Sequence, residues 1–194
     1  MRDEYDTVKH EDIVLKHLCE TGAMACDAGT LAMAAWAGSV STVRYLVGER
    51  GVGPAALNNC AVRSAAQRDR TDVVQLLLNL PLGRGVNPAA LNNYPFRWAS
   101  LNGHTDIIQL LLDLPIERGV DPAADGNFAF CNAAENGHTD IVQLLLDLPL
   151  ERGVDPAAGD NYALLWAAKN GHKDVVQLVL DVPIKRRPSR AVQD

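Results

Sequence analysis

Three histidines are the residues of this sequence whose type and spacing most directly suggest chemistry. His104, His138 and His172 recur at one constant interval, and an aspartate follows each of them two positions later. Zinc binds such ligands at about 2.0–2.3 Å. Helices that pack side by side keep their axes roughly 8–10 Å apart, so equivalent histidines of stacked units are too distant to share one ion. We therefore predict no metal site.

Candidate nucleophiles and cation-binding loops are equally weak. An acyl-transfer site needs a serine or cysteine beside a histidine and a carboxylate. Cys131 is the thiol expected on an exposed helix face, but no base stands near it in the sequence. Asp121 and Asp125-Gly126 resemble the start of a calcium loop that lacks its alternating oxygen ligands and final glutamate. With no P-loop, dinucleotide fingerprint or His-Glu-x-x-His motif, we predict no enzymatic activity and no cofactor.

Charge and hydropathy exclude further classes of partner. The 194 residues include 18 basic and 24 acidic side chains, for a formal net charge of −6, whereas nucleic-acid binding needs a basic face. No apolar run approaches the roughly 18 residues that span a bilayer. The N-terminus is charged and has no signal-peptide core, and the four cysteines are irregularly spaced. We expect a cytoplasmic protein that binds neither nucleic acid nor membrane, with nuclear or host-cell delivery left open.

The dominant feature of the chain is an internal repeat with a constant period. Gly51, Gly85, Gly119 and Gly153 open successive units, and segments 85–118 and 119–152 are identical at 23 of 34 positions. One structural unit is therefore duplicated in tandem. The predicted organisation is a repeat domain over residues 1–186, made of a half unit (7–22), a short unit (23–50) and four full units (51–84, 85–118, 119–152 and 153–186), followed by a basic tail (187–194).

Each unit is predicted to form two helices joined by a tight turn. In segment 119–152, Asn127 is expected to cap a first helix that begins near Phe128 and ends at Asn136-Gly137, because glycine accepts the left-handed conformation found there. Thr139 is expected to cap a second helix, which Pro149 ends. This second helix is apolar nearly all round, so it must be covered by stacked neighbours. The predicted fold class is all-α, a solenoid of stacked helix-turn-helix repeats.

The helical segments resemble ankyrin repeats. The resemblance rests on Ala-Ala-Glu-Asn-Gly-His-Thr-Asp-Ile-Val-Gln-Leu-Leu-Leu at 133–146 and on Ala-Ala-Lys-Asn-Gly-His-Lys-Asp-Val-Val-Gln-Leu-Val-Leu at 167–180. It implies an ankyrin-like solenoid that binds another protein, and a histidine that hydrogen-bonds backbone at its own inter-helix turn. The family's Thr-Pro-Leu-His opening is absent, and the altered loop spacing favours a compact Pro-containing loop over the family's projecting β-hairpin.

The positions that vary between units predict where a partner binds. Four sets of equivalent positions, or columns, change in residue type from unit to unit and are here called the first-helix strip. They are 57/91/125/159, 63/97/131/165, 64/98/132/166 and 67/101/135/169. Positions four apart share a helix face, and the resemblance implies that such a face is the recognition surface. Neutral drift at solvated positions is the alternative, and both tryptophans of the strip also fit a packing role. The candidate protein-binding residues are Arg63, Gln67, Leu91, Arg97, Trp98, Leu101, Asp125, Cys131, Glu135, Leu165, Trp166 and Lys169.

The last unit lacks the polar outer face that normally ends a repeat array, because its second helix keeps the internal apolar pattern. Three interpretations are open. The first is a non-enzymatic adaptor or scaffold that recognises another protein through the first-helix face and adjoining loops. The second is a structural solenoid that forms homo-oligomers by stacking through its uncapped C-terminal repeat. The third is a microbial effector whose enzymatic activity the sequence does not reveal. Under the first, we expect Arg97→Glu combined with Leu101→Glu to abolish partner binding with little change in melting temperature.

Overall fold

The computed structural model describes residues 13–182, which form two layers of stacked helices. After α1 (residues 13–20), first and second helices alternate as α2 (Ala28–Ala37), α3 (Val40–Gly48), α4 (Ala56–Gln67), α5 (Thr71–Leu78), α6 (Ala90–Leu101), α7 (Thr105–Leu112), α8 (Ala124–Glu135), α9 (Thr139–Asp147), α10 (Ala158–Asn170) and α11 (Lys173–Asp181). Each first helix packs on the next first helix, and each second helix on the next second helix. The predicted all-α solenoid is confirmed. The predicted tail and the first part of the half unit lie outside the described residues.

Small and aliphatic side chains explain the stacking. The alanine pairs of α2, α4 and α8, such as Ala133 and Ala134, are fully buried and let neighbouring helices approach closely. Ile141, Val142 and Leu145 of α9 are also fully buried, as expected for a helix covered on several sides. Because each such side chain contributes roughly 1.5–3 kcal/mol on burial, contacts between units supply most of the stability.

The start of each full unit's first helix holds an unusual backbone turn. Three consecutive residues have left-handed dihedral angles, for example Asp125, Gly126 and Asn127, with φ of 58°, 66° and 65°. Asn, Asp and Gly adopt this conformation at the lowest cost, and they occupy most of these positions. The exceptions are Leu57 and Leu91, at φ of 52° and 51°. The right-handed part of α8 begins at Phe128, where the sequence places the helix start.

Asn127 is not the helix cap that the sequence suggests. Its side-chain Oδ1 accepts a hydrogen bond from the backbone N–H of Asp155, at 2.9 Å, in the loop of the following unit. Asn93 accepts in the same way from Asp121, at 2.8 Å. The left-handed turn points this side chain toward the next unit instead of along its own helix. These buried asparagines therefore fasten successive loops to one another.

The histidines also connect units, which corrects a second expectation. Nε2 of His138 bonds the carbonyl oxygen of Leu101 at 2.9 Å, and Nε2 of His172 bonds that of Glu135 at 3.0 Å. Since a carbonyl only accepts, Nε2 carries the donated proton. Each acceptor lies in the last turn of the preceding unit's first helix and not in the histidine's own inter-helix turn.

The second helix begins differently from the prediction. Thr139 is the first residue of α9, His138 precedes it, and no side chain caps the helix. The Thr139 hydroxyl donates weakly to the carbonyl of Gly137, at 3.4 Å. The prediction that Thr139 caps this helix was wrong, because the cap position is occupied by His138, whose side chain bonds the preceding unit. The predicted end at Asn136-Gly137 is confirmed, since Gly137 is left-handed with φ of 75°.

The connections between units are compact, and residues 13–182 contain no strand. After α5, α7 and α9 the chain passes a proline and forms a short 3-10 turn, at Leu82–Arg84, Ile116–Arg118 and Leu150–Arg152. Arg118 and Arg152 donate to carbonyls of Val86 and Val120, at 3.3 and 3.2 Å. The short unit lacks such a turn, so the chain runs from α3 directly to Gly51.

Candidate functional site

The structure places the predicted strip on one layer of the solenoid but divides its members by exposure. Leu91, Asp125, Leu165 and Lys169 are exposed, whereas Arg63, Gln67, Arg97, Trp98, Leu101, Glu135 and Trp166 are half-buried, and Cys131 is buried. Each of these side chains comes from the turn or helix that opens its unit. The exposed members form a discontinuous surface, while many of the half-buried ones contact the neighbouring unit.

The two strip arginines connect adjacent units. The guanidinium of Arg63 lies 5.2 Å from the ring centroid of Tyr94, and that of Arg97 lies 5.1 Å from the ring of Phe128. Such cation–π contacts add to the packing between repeats. Arg97 also forms an ion pair with Asp125 of the next unit. These arginines are therefore engaged in contacts within the array.

Polar members of the strip are engaged in the same manner. The Tyr94 hydroxyl donates to Oε1 of Gln67 at 3.2 Å, and the Tyr162 hydroxyl donates to Oε2 of Glu135 at 2.7 Å. The bond to the Glu135 carboxylate is the main reason that the pKa of Tyr162 is raised above its ordinary value. Both tyrosines belong to the unit after their acceptors, so these bonds also run between units.

The tryptophans lie beside these tyrosines. The rings of Tyr94 and Trp98 are 5.3 Å apart, and those of Tyr162 and Trp166 are 5.7 Å apart, both in tilted arrangements typical of favourable aromatic pairs. Lys169 places its ammonium 3.8 Å from the centroid of Trp166. The two rings therefore pack within their units while each retains some exposed area.

Two exposed residues of the short unit extend the strip beyond the predicted set. Met33 and Trp36 are 56% and 50% exposed and border a depression of about 330 Å³ that Leu15 and Ser64 also line. When Ala34-Ala35 is aligned with Ala65-Ala66 in the sequence, Met33 is equivalent to Ser64 and Trp36 is equivalent to Gln67, so both residues occupy strip positions. The signal was present in the sequence, but the shorter period of this unit concealed it.

The edge of this depression carries a cationic group. The guanidinium of Arg68 lies 4.6 Å from the centroid of Trp36, and Nε of Arg70 donates to the Trp36 carbonyl at 3.1 Å. The first contact is made by the ring and the second by the backbone, while half of the residue's surface stays accessible. An exposed tryptophan beside an arginine is typical of a protein-binding surface.

Comparison with known families agrees with this architecture. The family model described as ankyrin repeats (3 copies) matches residues 31–122 and 96–187. The chain belongs to the ankyrin-repeat family. No curated protein matches it at a significant level. Ankyrin repeats are generally protein–protein interaction modules and are typically non-enzymatic, so the family supports a surface that binds another protein.

This ankyrin-repeat chain shows no constellation for metal chemistry in its described part. Within residues 13–182, no group of three or more His, Cys, Asp or Glu side chains is arranged to hold a metal ion. The repeated histidines instead bond carbonyls of neighbouring units. No helix of the described chain is both long and apolar enough to cross a membrane.

Cys131 is not on an exposed face of the ankyrin array. It is only 8% exposed, and burial, with smaller effects of the Asp155 and Glu135 carboxylates, raises its pKa to about 11. The exposed-thiol expectation was wrong because α8 turns this column toward α10. At neutral pH the group is a thiol and not the thiolate that nucleophilic chemistry requires.

The buried thiol gives a measurable reactivity. In native protein at pH 8, we expect iodoacetamide to label Cys131 at least roughly 100-fold more slowly than the half-buried Cys60, because the raised pKa depletes its thiolate. Peptide mapping by mass spectrometry would follow both sites. In denaturant the two rates should converge, and equal rates in the native state would contradict the burial of Cys131.

Proposed function

We propose that this ankyrin-repeat protein is a non-enzymatic adaptor or scaffold that recognises another protein through the first-helix strip, extended by Met33 and Trp36. The observation that carries the proposal is the depression of about 330 Å³ beside two large, half-exposed apolar side chains. Aromatic and methionine side chains are enriched in protein interfaces. The proposed partner inserts an apolar side chain there and extends along the strip.

The rigidity of the array supports this mechanism. Hydrogen bonds, ion pairs and aromatic contacts join successive units along the strip, so the exposed side chains are held before a partner arrives. Association then requires little ordering of the binding surface, which lowers its entropic cost. The exposed members Leu91, Asp125, Leu165 and Lys169 would contribute contacts toward the other end of the strip.

A single substitution tests the proposal. We expect Trp36→Ala to reduce partner capture from a lysate of the source organism at least tenfold, with a melting temperature within a few degrees of wild type, because hot-spot aromatic residues contribute about 2 kcal/mol or more to binding. Ile116→Ala is the matched control, since Ile116 is 69% exposed but lies in a 3-10 turn outside the strip. Quantitative mass spectrometry would compare the retained proteins.

The outcome of that comparison decides between interpretations. A protein retained by wild type and by Ile116→Ala, but lost by Trp36→Ala, would support recognition through the strip. Equal retention by all three would contradict it. Recovery of only further copies of this chain would favour the self-assembling solenoid.

Exposed side chains in the last described repeat support self-assembly as the second candidate. Asn161 occupies the column of Asn93 and Asn127 but is exposed, and Leu180 of α11 is 49% exposed. In addition, residues 13–84 contain seven basic and five acidic side chains, whereas residues 85–182 contain five basic and thirteen acidic ones. Opposite charges on the two halves would favour head-to-tail stacking of copies.

A cytoplasmic location and the absence of nucleic-acid and membrane partners belong to the same proposal. The four cysteines have free thiols, which suits a reducing compartment. The acidic balance of the C-terminal half would repel phosphates.

A further inference from the structure

A cavity of about 200 Å³ opens between α3 and α5, on the second-helix layer and away from the first-helix strip. Its walls are mainly aliphatic and include two arginines. The lining residues are Val43, Arg44, Val47, Gly48, Leu76, Leu77, Leu80, Pro81 and Arg84. The volume is below the roughly 300–1,000 Å³ typical of small-molecule pockets, so it suits one or two side chains of a peptide.

The cavity lies where the short unit lacks the leucine–proline segment that follows α5, α7 and α9. After α5, α7 and α9 come Leu80-Pro81, Leu114-Pro115 and Leu148-Pro149, and the three leucines are partly buried against the core. After α3 the equivalent residues are Glu49 and Arg50, both exposed. The short unit therefore has no leucine–proline pair that could pack against Leu80 and Pro81, and the space between these residues and α3 stays open.

The arginines that line the cavity favour a bound peptide segment in which an acidic residue follows the apolar residues. Arg84 is the counterpart of Arg118 and Arg152, but its Nη2 reaches across to the carbonyl of Val47 in the preceding unit, at 2.7 Å. This places a guanidinium beside the cavity, and Arg44 lines the same opening. An arginine fork pairs well with a carboxylate.

We propose that this cavity binds an extended segment of a partner protein that presents a leucine–proline pair followed by an acidic residue. Such a segment would supply the apolar volume that the short unit lacks and would place its carboxylate near Arg44 and Arg84. A second copy of this chain cannot offer its own pairs, because Leu80, Leu114 and Leu148 are already packed against its core. The site is separate from Trp36 and does not depend on the proposed strip.

The probe is a fluorescent synthetic peptide with the sequence of residues 147–152, Asp-Leu-Pro-Leu-Glu-Arg, titrated with the full chain in a polarisation assay. We expect saturable binding below about 1 mM, as for a weak peptide contact. Replacing the leucine–proline pair with Ser-Ala should weaken binding at least tenfold, and replacing the peptide's glutamate with glutamine should weaken it about threefold or more at low salt. Absence of saturable binding by the wild-type chain would overturn the proposal.

Gly48 provides the decisive variant. A Cβ added there meets no atom within 4 Å, so the Phe side chain of Gly48→Phe can enter the cavity without a backbone clash. We expect this variant to lose binding at least tenfold and to melt no lower than wild type, because it fills apolar space and adds a helix-favouring side chain. Gly53→Phe is the matched control, since its Cβ is also unobstructed and it does not line the cavity.

Two further variants keep the test interpretable. Arg44→Glu should weaken the glutamate peptide at least fivefold but the glutamine peptide much less, a difference that a purely structural role for Arg44 would not produce. Trp36→Ala should bind the peptide as wild type does, so failure of the strip proposal would not be mistaken for failure here. Equal loss in Gly48→Phe and Gly53→Phe would overturn the assignment of the cavity as the site.

Discussion

Asn127→Ala is expected to lower the free energy of unfolding by about 2–5 kcal/mol, the sum of two effects. The substitution removes the Oδ1 that accepts from the Asp155 N–H in a partly buried hydrogen bond, and leaving a donor unpaired away from water costs about 1–3 kcal/mol. It also places alanine at φ of 65°, where a side chain without local hydrogen bonds costs about 1–2 kcal/mol. Urea denaturation followed by circular dichroism would measure the change.

Asn161→Ala separates these two causes. Asn161 has the same φ of 65° and occupies the equivalent position of the last full unit, but it is exposed to solvent. Since water can replace a hydrogen-bond partner at an exposed site, we expect this variant to lose mainly the conformational part, about 1–2 kcal/mol. If both variants lost equal stability, the hydrogen bond between units would contribute nothing beyond the backbone effect.

Arg97→Glu is expected to destabilise the fold by about 2–3 kcal/mol, with a melting temperature several degrees lower. The Arg97 side chain is only 14% exposed, and it forms an ion pair with Asp125 and a cation–π contact with Phe128. A glutamate would remove both contacts and face the Asp125 carboxylate, and a charge that is buried without a partner is costly. Thermal melts monitored by circular dichroism would give the shift.

Leu165→Glu is the matched control for this substitution. Leu165 stands in the same column of the last full unit but is 61% exposed, so we expect a change within about 0.5 kcal/mol, as for most surface substitutions. A small effect at both positions would contradict the structural role of Arg97. The expectation that Arg97→Glu with Leu101→Glu would barely change the melting temperature is thus replaced, because both side chains are half-buried.

The exposed part of the strip was only partly predictable. Variation between units correctly selected Leu91, Leu165 and Lys169 as exposed positions. The same variation selected Arg63 and Arg97, whose side chains contact aromatic rings of the following unit. A repeated position can therefore vary because the residue that it contacts in the next unit also varies, and not only because the position is exposed to solvent. Trp36 escaped selection because its unit is shortened.

The cavity beside α3 could not be derived from the repeat pattern alone. The absence of the Leu-Pro segment in the short unit is evident from the sequence, but a missing segment can be compensated by closer packing of its neighbours. Here Arg84 bridges to Val47 while the space beside Leu80 stays open. The positions of these backbones determine whether a deletion produces a cavity.

The sequence by itself determined the period, the helix pairs and the all-α solenoid, because these depend on apolar periodicity and on glycine and proline punctuation within a single unit. Only the tertiary structure decided the roles of Asn127, His138 and Cys131. The sequence suggested that Asn127 caps its own helix and that Cys131 is an exposed thiol, and the ankyrin resemblance implied that His138 bonds backbone at its own inter-helix turn. The hydrogen-bond partners of Asn127 and His138 lie 28 and 37 positions away in an adjacent unit, and Cys131 is covered by the next first helix. In a solenoid, the contacts that stabilise one unit come chiefly from the next, so a pattern repeated along the chain indicates which residues matter before it reveals what they touch.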